Sequence, residues 1–214
     1  MQQRKKGDGE RGASRVRRTV SGILMTLALA GVASAGALED GFAAYQEKDY
    51  VKAVQIWRPL AEAGNATAQF RLGVMYIEGR GVAPDDAEGA KWFRRAAEQG
   101  EPMAQFNLGA SYAEGAGVPR DDAEAAKWFR RAADQGVPLA QLNLGIMHSE
   151  GRGVAKDPVE AVKWIDLAVL GLPAGGARSD AARALTAITE KLTSEQIQEA
   201  RSRERAWKAK PETK

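Results

Sequence analysis

The sequence predicts an all-α fold of stacked antiparallel helix pairs closed by a C-terminal helical cap. Three observations predict it. Residues 68–103, 104–139 and 140–175 are successive copies of one 36-residue unit, and 25 of 36 positions are identical between the first two, too many for chance. A fixed period of this size marks a repeat array, in which each unit buries its apolar side against its neighbour. Each copy also divides into two stretches of helical length separated by a short glycine loop. Finally, the glycines, prolines and acidic residues that start and stop helices recur at matching places in the copies.

The first 37 residues read as a leader, a signal peptide removed from the mature chain. A basic stretch ending at Arg18 precedes an apolar one, Ile23 to Val32, and the small residues Ala33-Ser34-Ala35-Gly36-Ala37. That is a secretory layout with cleavage after Ala35 or Ala37. A retained anchor is the alternative, because Thr19 to Leu38 is free of charge, although Gly22, Gly31, Ser34 and Gly36 interrupt it. The expected location is periplasmic or secreted, with no membrane contact after cleavage. The formal net charge of +3 is a property of this leader, which holds seven basic and two acidic residues; the rest carries 24 and 26, a net of −2. A basic excess confined to a leader gives no reason to expect nucleic acid as a partner. With no cysteine, the chain has no disulfide to lean on.

Residues 38–67 read as a degenerate, tetratricopeptide-like capping unit. Gly64 aligns with Gly100, Trp57 with Phe93 and Ala53 with Gly89, but the turn from Gln46 to Tyr50 is short. Pro59 falls inside its second helix, where it is expected to kink or loosen the last turn.

In each full unit a helix A and a helix B follow. In the first copy helix A spans about Ala66 to Glu78, with Ala68, Leu72 and Tyr76 on one face. Gly79-Arg80-Gly81-Val82 ends it, the glycines permitting positive φ and Val82, repeated as Val118 and Val154, plugging the loop. Helix B opens with Asp at its cap and Glu three residues on: Asp85 and Glu88, Asp121 and Glu124, Asp157 and Glu160. Pro158 at the first helical position agrees with that register. Gly100 and Gly136 stop helix B. Small residues at Gly73, Gly109 and Gly145 on A, and at Gly89, Ala125 and Ala161 on B, suit close approach of the paired backbones.

The period fails after Gly171. Leu172 to Arg178 reads as a loop, Ser179 to Leu192 as a helix, and Thr193 with Gln196 as a capping box opening a helix to about Lys208. Residues 176–208 are therefore expected to cap the last repeat, with Ile197, Ala200 and Trp207 against the array. Residues 209–214 read as a disordered tail.

The string A-Q-x-x-L-G-x-x-Y, then G-x-G-V, then a capped helix with K-W-F-x-x-A-A-x-x-G resembles the Sel-like repeat family, a branch of the tetratricopeptide-repeat superfamily. The resemblance covers residues 68 to about 171. It implies a right-handed α-solenoid whose concave helix A face holds partners, and it implies no reaction.

The residues offer little to chemistry. His148 is the sole histidine and stands where the other copies have Tyr76 and Tyr112, so it reads as packing; with no cysteine and no second histidine, a metal site or triad has little to build from. The acid pairs Asp85-Asp86 and Asp121-Asp122 stand at helix starts, where Asp has a structural task. Glu78, Glu114 and Glu150 end helix A, either bonded to loop amides or forming an acidic row beside a groove. Lys91, Arg94 and Arg95, with Lys127, Arg130 and Arg131, read as a solvated face of helix B. No catalytic residue, metal or cofactor is expected.

Helix A is apolar over more of its circumference than one interface needs. Its second face carries Phe70, Val74 and Ile77, then Phe106 and Ala110, then Leu142 and Ile146, so the next repeat covers them or a partner does. The expected function is a non-catalytic scaffold or adaptor of the bacterial envelope that binds a protein or peptide there. Alternatives are a peptidoglycan or polysaccharide binder, with or without weak hydrolase activity, and a self-associating structural subunit.

Overall fold

A computed structural model describes residues 36–208. Most of the expected leader and the expected tail, 209–214, lie outside the described residues. Within them the chain is helical from end to end, without a strand. Residues 36–46 form α1, followed by α2 (Tyr50–Glu62), α3 (Ala66–Glu78), α4 (Asp86–Glu98), α5 (Pro102–Glu114), α6 (Asp122–Asp134), α7 (Pro138–Glu150), α8 (Pro158–Gly171), α9 (Gly176–Thr189) and α10 (Ser194–Ala206). From α2 to α9 the helices pack on their neighbours in chain order, and α10 returns to lie on α8. This is an all-α repeat solenoid.

Local chemistry sets the helix ends. Asp85, Asp121 and Asp157 accept hydrogen bonds from the first-turn amides of α4, α6 and α8, meeting donors that have no partner inside the helix. Gly79, Gly115 and Gly151 close α3, α5 and α7 in the left-handed conformation, with φ of 65°, 76° and 73°. The Thr193–Gln196 capping box opens α10.

Within a pair the small residues meet as their spacing implies. A Cβ added to Gly73 would lie 2.5 Å from the Phe93 ring, and one on Gly145 2.5 Å from Ile165. The helices therefore approach too closely to admit even an alanine without movement. Between pairs, the second loop glycine lands on the preceding repeat: a Cβ on Gly117 would be 2.0 Å from the Asp86 carbonyl oxygen, and one on Gly153 2.0 Å from that of Asp122. Val82 and Val154 pack against the core clusters beside their loops.

One expectation needs correction. Helix α9 begins at Gly176, not Ser179, and ends at Thr189. Docking Ala181, Leu185 and Ile188 against Ile165, Ala168 and Leu172 outweighs the helix penalty of a leading glycine. Helix α2 runs on through Pro59 to Glu62, with the Ala63 amide donating to the Pro59 carbonyl at 3.0 Å. The carbonyl that Pro59 cannot serve belongs to Gln55, an exposed residue open to solvent.

Candidate functional site on the helix A face

Helices α3 and α5 leave a hollow of about 390 Å³ between them. Val74 and Ile77 of α3, Ala110 of α5 and Phe93 of α4 give it an apolar lining; Asn107, Glu78, Asp86, Glu114 and Ala116 edge it. Three of the residues singled out on helix A, Val74, Ile77 and Ala110, thus share one cavity. Ile77 is 37% exposed.

The other four are placed differently. Phe70 lies half-buried with its ring 6.0 Å from that of Phe93, beneath the guanidinium of Arg71, which also stacks on Phe42. Phe106 pairs with Phe129 at 5.8 Å. Leu142 packs into the cluster of Ile165, Ala168, Leu172 and Ala181 that α9 completes. Ile146 is half-buried on α7. The apolar residues of helix A are thus placed unequally: Val74, Ile77 and Ala110 line the opening between α3 and α5, and Leu142 is covered by α9.

Charge around the hollow departs from the repeat. Glu78 pairs with Arg80 at 3.0 Å, and Glu150 approaches Arg152 at 3.8 Å. In the middle loop Ala116 stands where the others have arginine. Glu114 and Asp86 beside it have no ion-pair partner among the described residues. The recurrent glutamates at the end of helix A are thus an arginine-paired row with one unpaired member.

Sequence reasoning missed two kinds of inter-repeat contact. Buried Gln69, Gln105 and Gln141 donate their amides to the carbonyls of Ala61, Ala97 and Ala133 on the preceding helix B, at 2.9, 3.1 and 3.2 Å. Gln99 and Gln135 then donate to Gln69 and Gln105 from the other side. The signal was present: a glutamine at the second position of all three copies, beside a buried alanine, is otherwise unexplained. Second, Arg94 is not on a solvated face. It donates to the Tyr112 hydroxyl, as Arg58 does to Tyr76 at 2.9 Å, while Arg95 stacks on Trp92. Lys91, Arg95 and Lys127 of that set remain exposed, the lysines paired with Glu88 and Glu124.

In the last repeat the same staple meets His148, whose Nε2 receives the Arg130 guanidinium at 3.1 Å while Nδ1 faces the Ala155 carbonyl at 3.4 Å. Burial, then the Arg130 charge, lower the His148 pKa. Beside it Glu160 accepts from Lys163 at 2.6 Å, Trp164 at 2.8 Å, Arg203 at 3.2 Å and Arg130 at 3.3 Å. Burial disfavours its charge, but Lys163, Arg130 and Arg203 outweigh that and hold its carboxyl at about 2. This cluster ties α10 to α8 and α6. Among the described residues no group of histidines, cysteines and carboxylates is arranged to hold a metal, and no helix is long and apolar enough to cross a membrane.

Comparison with known proteins follows the same lines. The family model described as Sel1 repeat matches four times, at residues 27–65, 66–101, 102–137 and 138–170. A crystal structure of a Sel1 repeat protein from Oxalobacter formigenes is similar at 31% identity and a TM-score of 0.66, over 72% of this chain and 61% of that one. A second is c5321, a protective antigen of uropathogenic Escherichia coli strains with an SLR fold, at 29% identity and a TM-score of 0.55, over 81% of this chain and 45% of that one. The chain thus spans about three-fifths and under half of the lengths of these two proteins. No curated protein matches it.

Proposed function

The chain belongs to the Sel1 repeat family, and from that premise we propose that it is an exported, non-catalytic adaptor that holds a partner protein on its helix A face between α3 and α5. Sel1 repeats generally mediate protein–protein interaction, and the family is generally a non-catalytic scaffold. The observation that carries the choice of face is the hollow lined by Val74, Ile77, Ala110 and Phe93. On the last helix A the chain's own α9 covers Leu142. An uncovered apolar hollow in the middle of the array is where an apolar anchor from another protein gains most. The leader supports placement of this scaffold in the periplasm of a bacterial envelope.

A photo-cross-linking residue placed at Asn107 in the full chain, expressed in cells, tests the reading. One discrete adduct is expected in periplasmic extract, lost on Val74→Arg or Ile77→Arg and absent when the cross-linker is at Lys91 on helix B. An adduct pattern that ignores Val74→Arg, or that is the same from Lys91, overturns it.

A further inference from the structure

The three Gly-x-Gly loops differ at their middle residue, and that difference identifies what the hollow takes. Arg80 pairs with Glu78, the last residue of its own helix A, and its guanidinium lies 5.4 Å from the ring centre of Tyr50, the first residue of the preceding helix B. Arg152 stands in the equivalent place in the last repeat, its Nε 3.8 Å from Glu150 and 3.9 Å from Asp122, the first residue of α6, close enough for charge attraction to both though not for a hydrogen bond. The middle loop has Ala116 between the equivalent positions, Glu114 and Asp86. Its backbone is not rearranged, because Gly117 sits on Asp86 as Gly153 sits on Asp122, each with a would-be Cβ at 2.0 Å. One cationic side chain is missing from an otherwise repeated framework. No nearby group replaces it: Arg120 turns to Asp122 at 3.3 Å, Arg80 is engaged with Glu78, and Arg71 stacks on Phe42 and Phe70.

We infer that the partner segment bound in this hollow presents an arginine or lysine between Asp86 and Glu114, next to a large apolar residue seated on Val74, Ile77 and Ala110. This rests on the helix A reading above and adds the chemistry of the partner. A hollow of about 390 Å³ has room for both side chains. A guanidinium is shaped to engage carboxylates through several donors at once. Carboxylates at this edge also disfavour an acidic segment.

The test selects a random 12-residue peptide library on the full chain and measures the winners by fluorescence anisotropy. Winners are expected to carry Arg or Lys within a few residues of Leu, Ile, Met or Phe, and to weaken as salt rises. Ala116→Arg supplies the missing side chain in cis, as the flanking loops do. It is expected to weaken the winners at least tenfold while keeping the helical circular dichroism and unfolding midpoint. The double variant Asp86→Asn with Glu114→Gln is expected to do the same by removing the charge. Winners without a basic residue, winners that bind Ala116→Arg as tightly as the parent, or no winners at all overturn the inference. If binding survives Ala116→Arg but is lost on Val74→Arg, the basic-residue assignment fails and the helix A reading stands. If it survives both, both fail.

Discussion

The seams inside the array and the seam between the array and its cap are made differently. Where α4 meets α5, Phe93, Ala96, Ala97, Ala104, Leu108 and Trp128 form one buried cluster, with Gln105 bridging across it. On the cap side α9 buries only Ala181 and α10 only Ala200, with Leu185, Ile188 and Leu192 half-buried around them. The same motif residue shows the contrast. Glu88 and Glu124 each pair with one surface lysine, while the indole N–H groups of Trp92 and Trp128 lie buried without a partner. Glu160, in the equivalent place, gathers Lys163, Arg130, Arg203 and the Trp164 indole. Repeat-to-repeat seams rest on apolar burial, which is indifferent to pH. The cap compensates for a thin apolar contact with an ionic hub, and such a hub is only as strong as its protonation state allows.

The largest effect belongs to the array. Leu108 is fully buried, so Leu108→Ala should cost about 2–5 kcal/mol, from lost burial and the cavity left behind. Urea unfolding at neutral pH measures it. Because every seam depends on its neighbour, the loss should appear as one lowered midpoint for repeats and cap alike. A cost under about 1 kcal/mol would mean that the seam is not held by apolar packing.

The cap gives the next largest. Glu160 ionises at about 2 when folded, against an ordinary 4.5, so it stabilises the fold fully above about 4.5 and loses this as pH falls toward 2. The shift corresponds to at most about 3 kcal/mol. Glu160→Gln should therefore be markedly less stable than the parent at pH 7. Most of that gap should close at pH 3, as read from paired urea midpoints. A gap that is unchanged at pH 3 would show that the residue acts through packing, not charge.

What was legible beforehand divides along the same line. The repeat period, the aspartate caps, the left-handed glycines at 79, 115 and 151 and the close approach at Gly73 are local or strictly periodic, so residue identity alone places them. The Arg94–Tyr112 staple joins residues 18 apart across a seam, and the glutamine contacts join helix A to the previous repeat's helix B; the repeated glutamine marks a recurring task within the unit, but its partner lies in the unit before. Ala116 was visible as an exception to Arg80 and Arg152. Its meaning depends on the loop landing on Asp86, 30 residues earlier, which only the stacked structure supplies. The start of α9 was misplaced because tertiary contact at Ala181 outweighed a glycine signal.

The smallest effect is also the one that separates the two kinds of seam most finely. His148 stands where the other repeats have tyrosine, at the point where the last regular staple touches the cap cluster: Arg130 binds both His148 and Glu160. Tyr76 and Tyr112 offer a hydroxyl acceptor at the equivalent place in the other copies, and the charged groups that act on His148 are Arg130, Glu160 and Asp157. Burial and the Arg130 charge lower the pKa of His148 from 6.5, so the neutral ring is favoured in the fold, and stability declines as pH falls through about 6.5 while the unfolded chain takes up a proton first. His148→Tyr puts back the hydroxyl that Arg94 finds on Tyr112. It should change stability at pH 7.5 by less than about 1 kcal/mol, the scale of exchanging one hydrogen bond for another. Between pH 7.5 and 5.5 the variant should lose less stability than the parent, since tyrosine does not titrate there. Urea midpoints at the two pH values decide it. An equal loss in both proteins would place the acid sensitivity of this region elsewhere, and a large loss at pH 7.5 would mean that the Nδ1 contact with Ala155, absent from the tyrosine repeats, matters more than the staple.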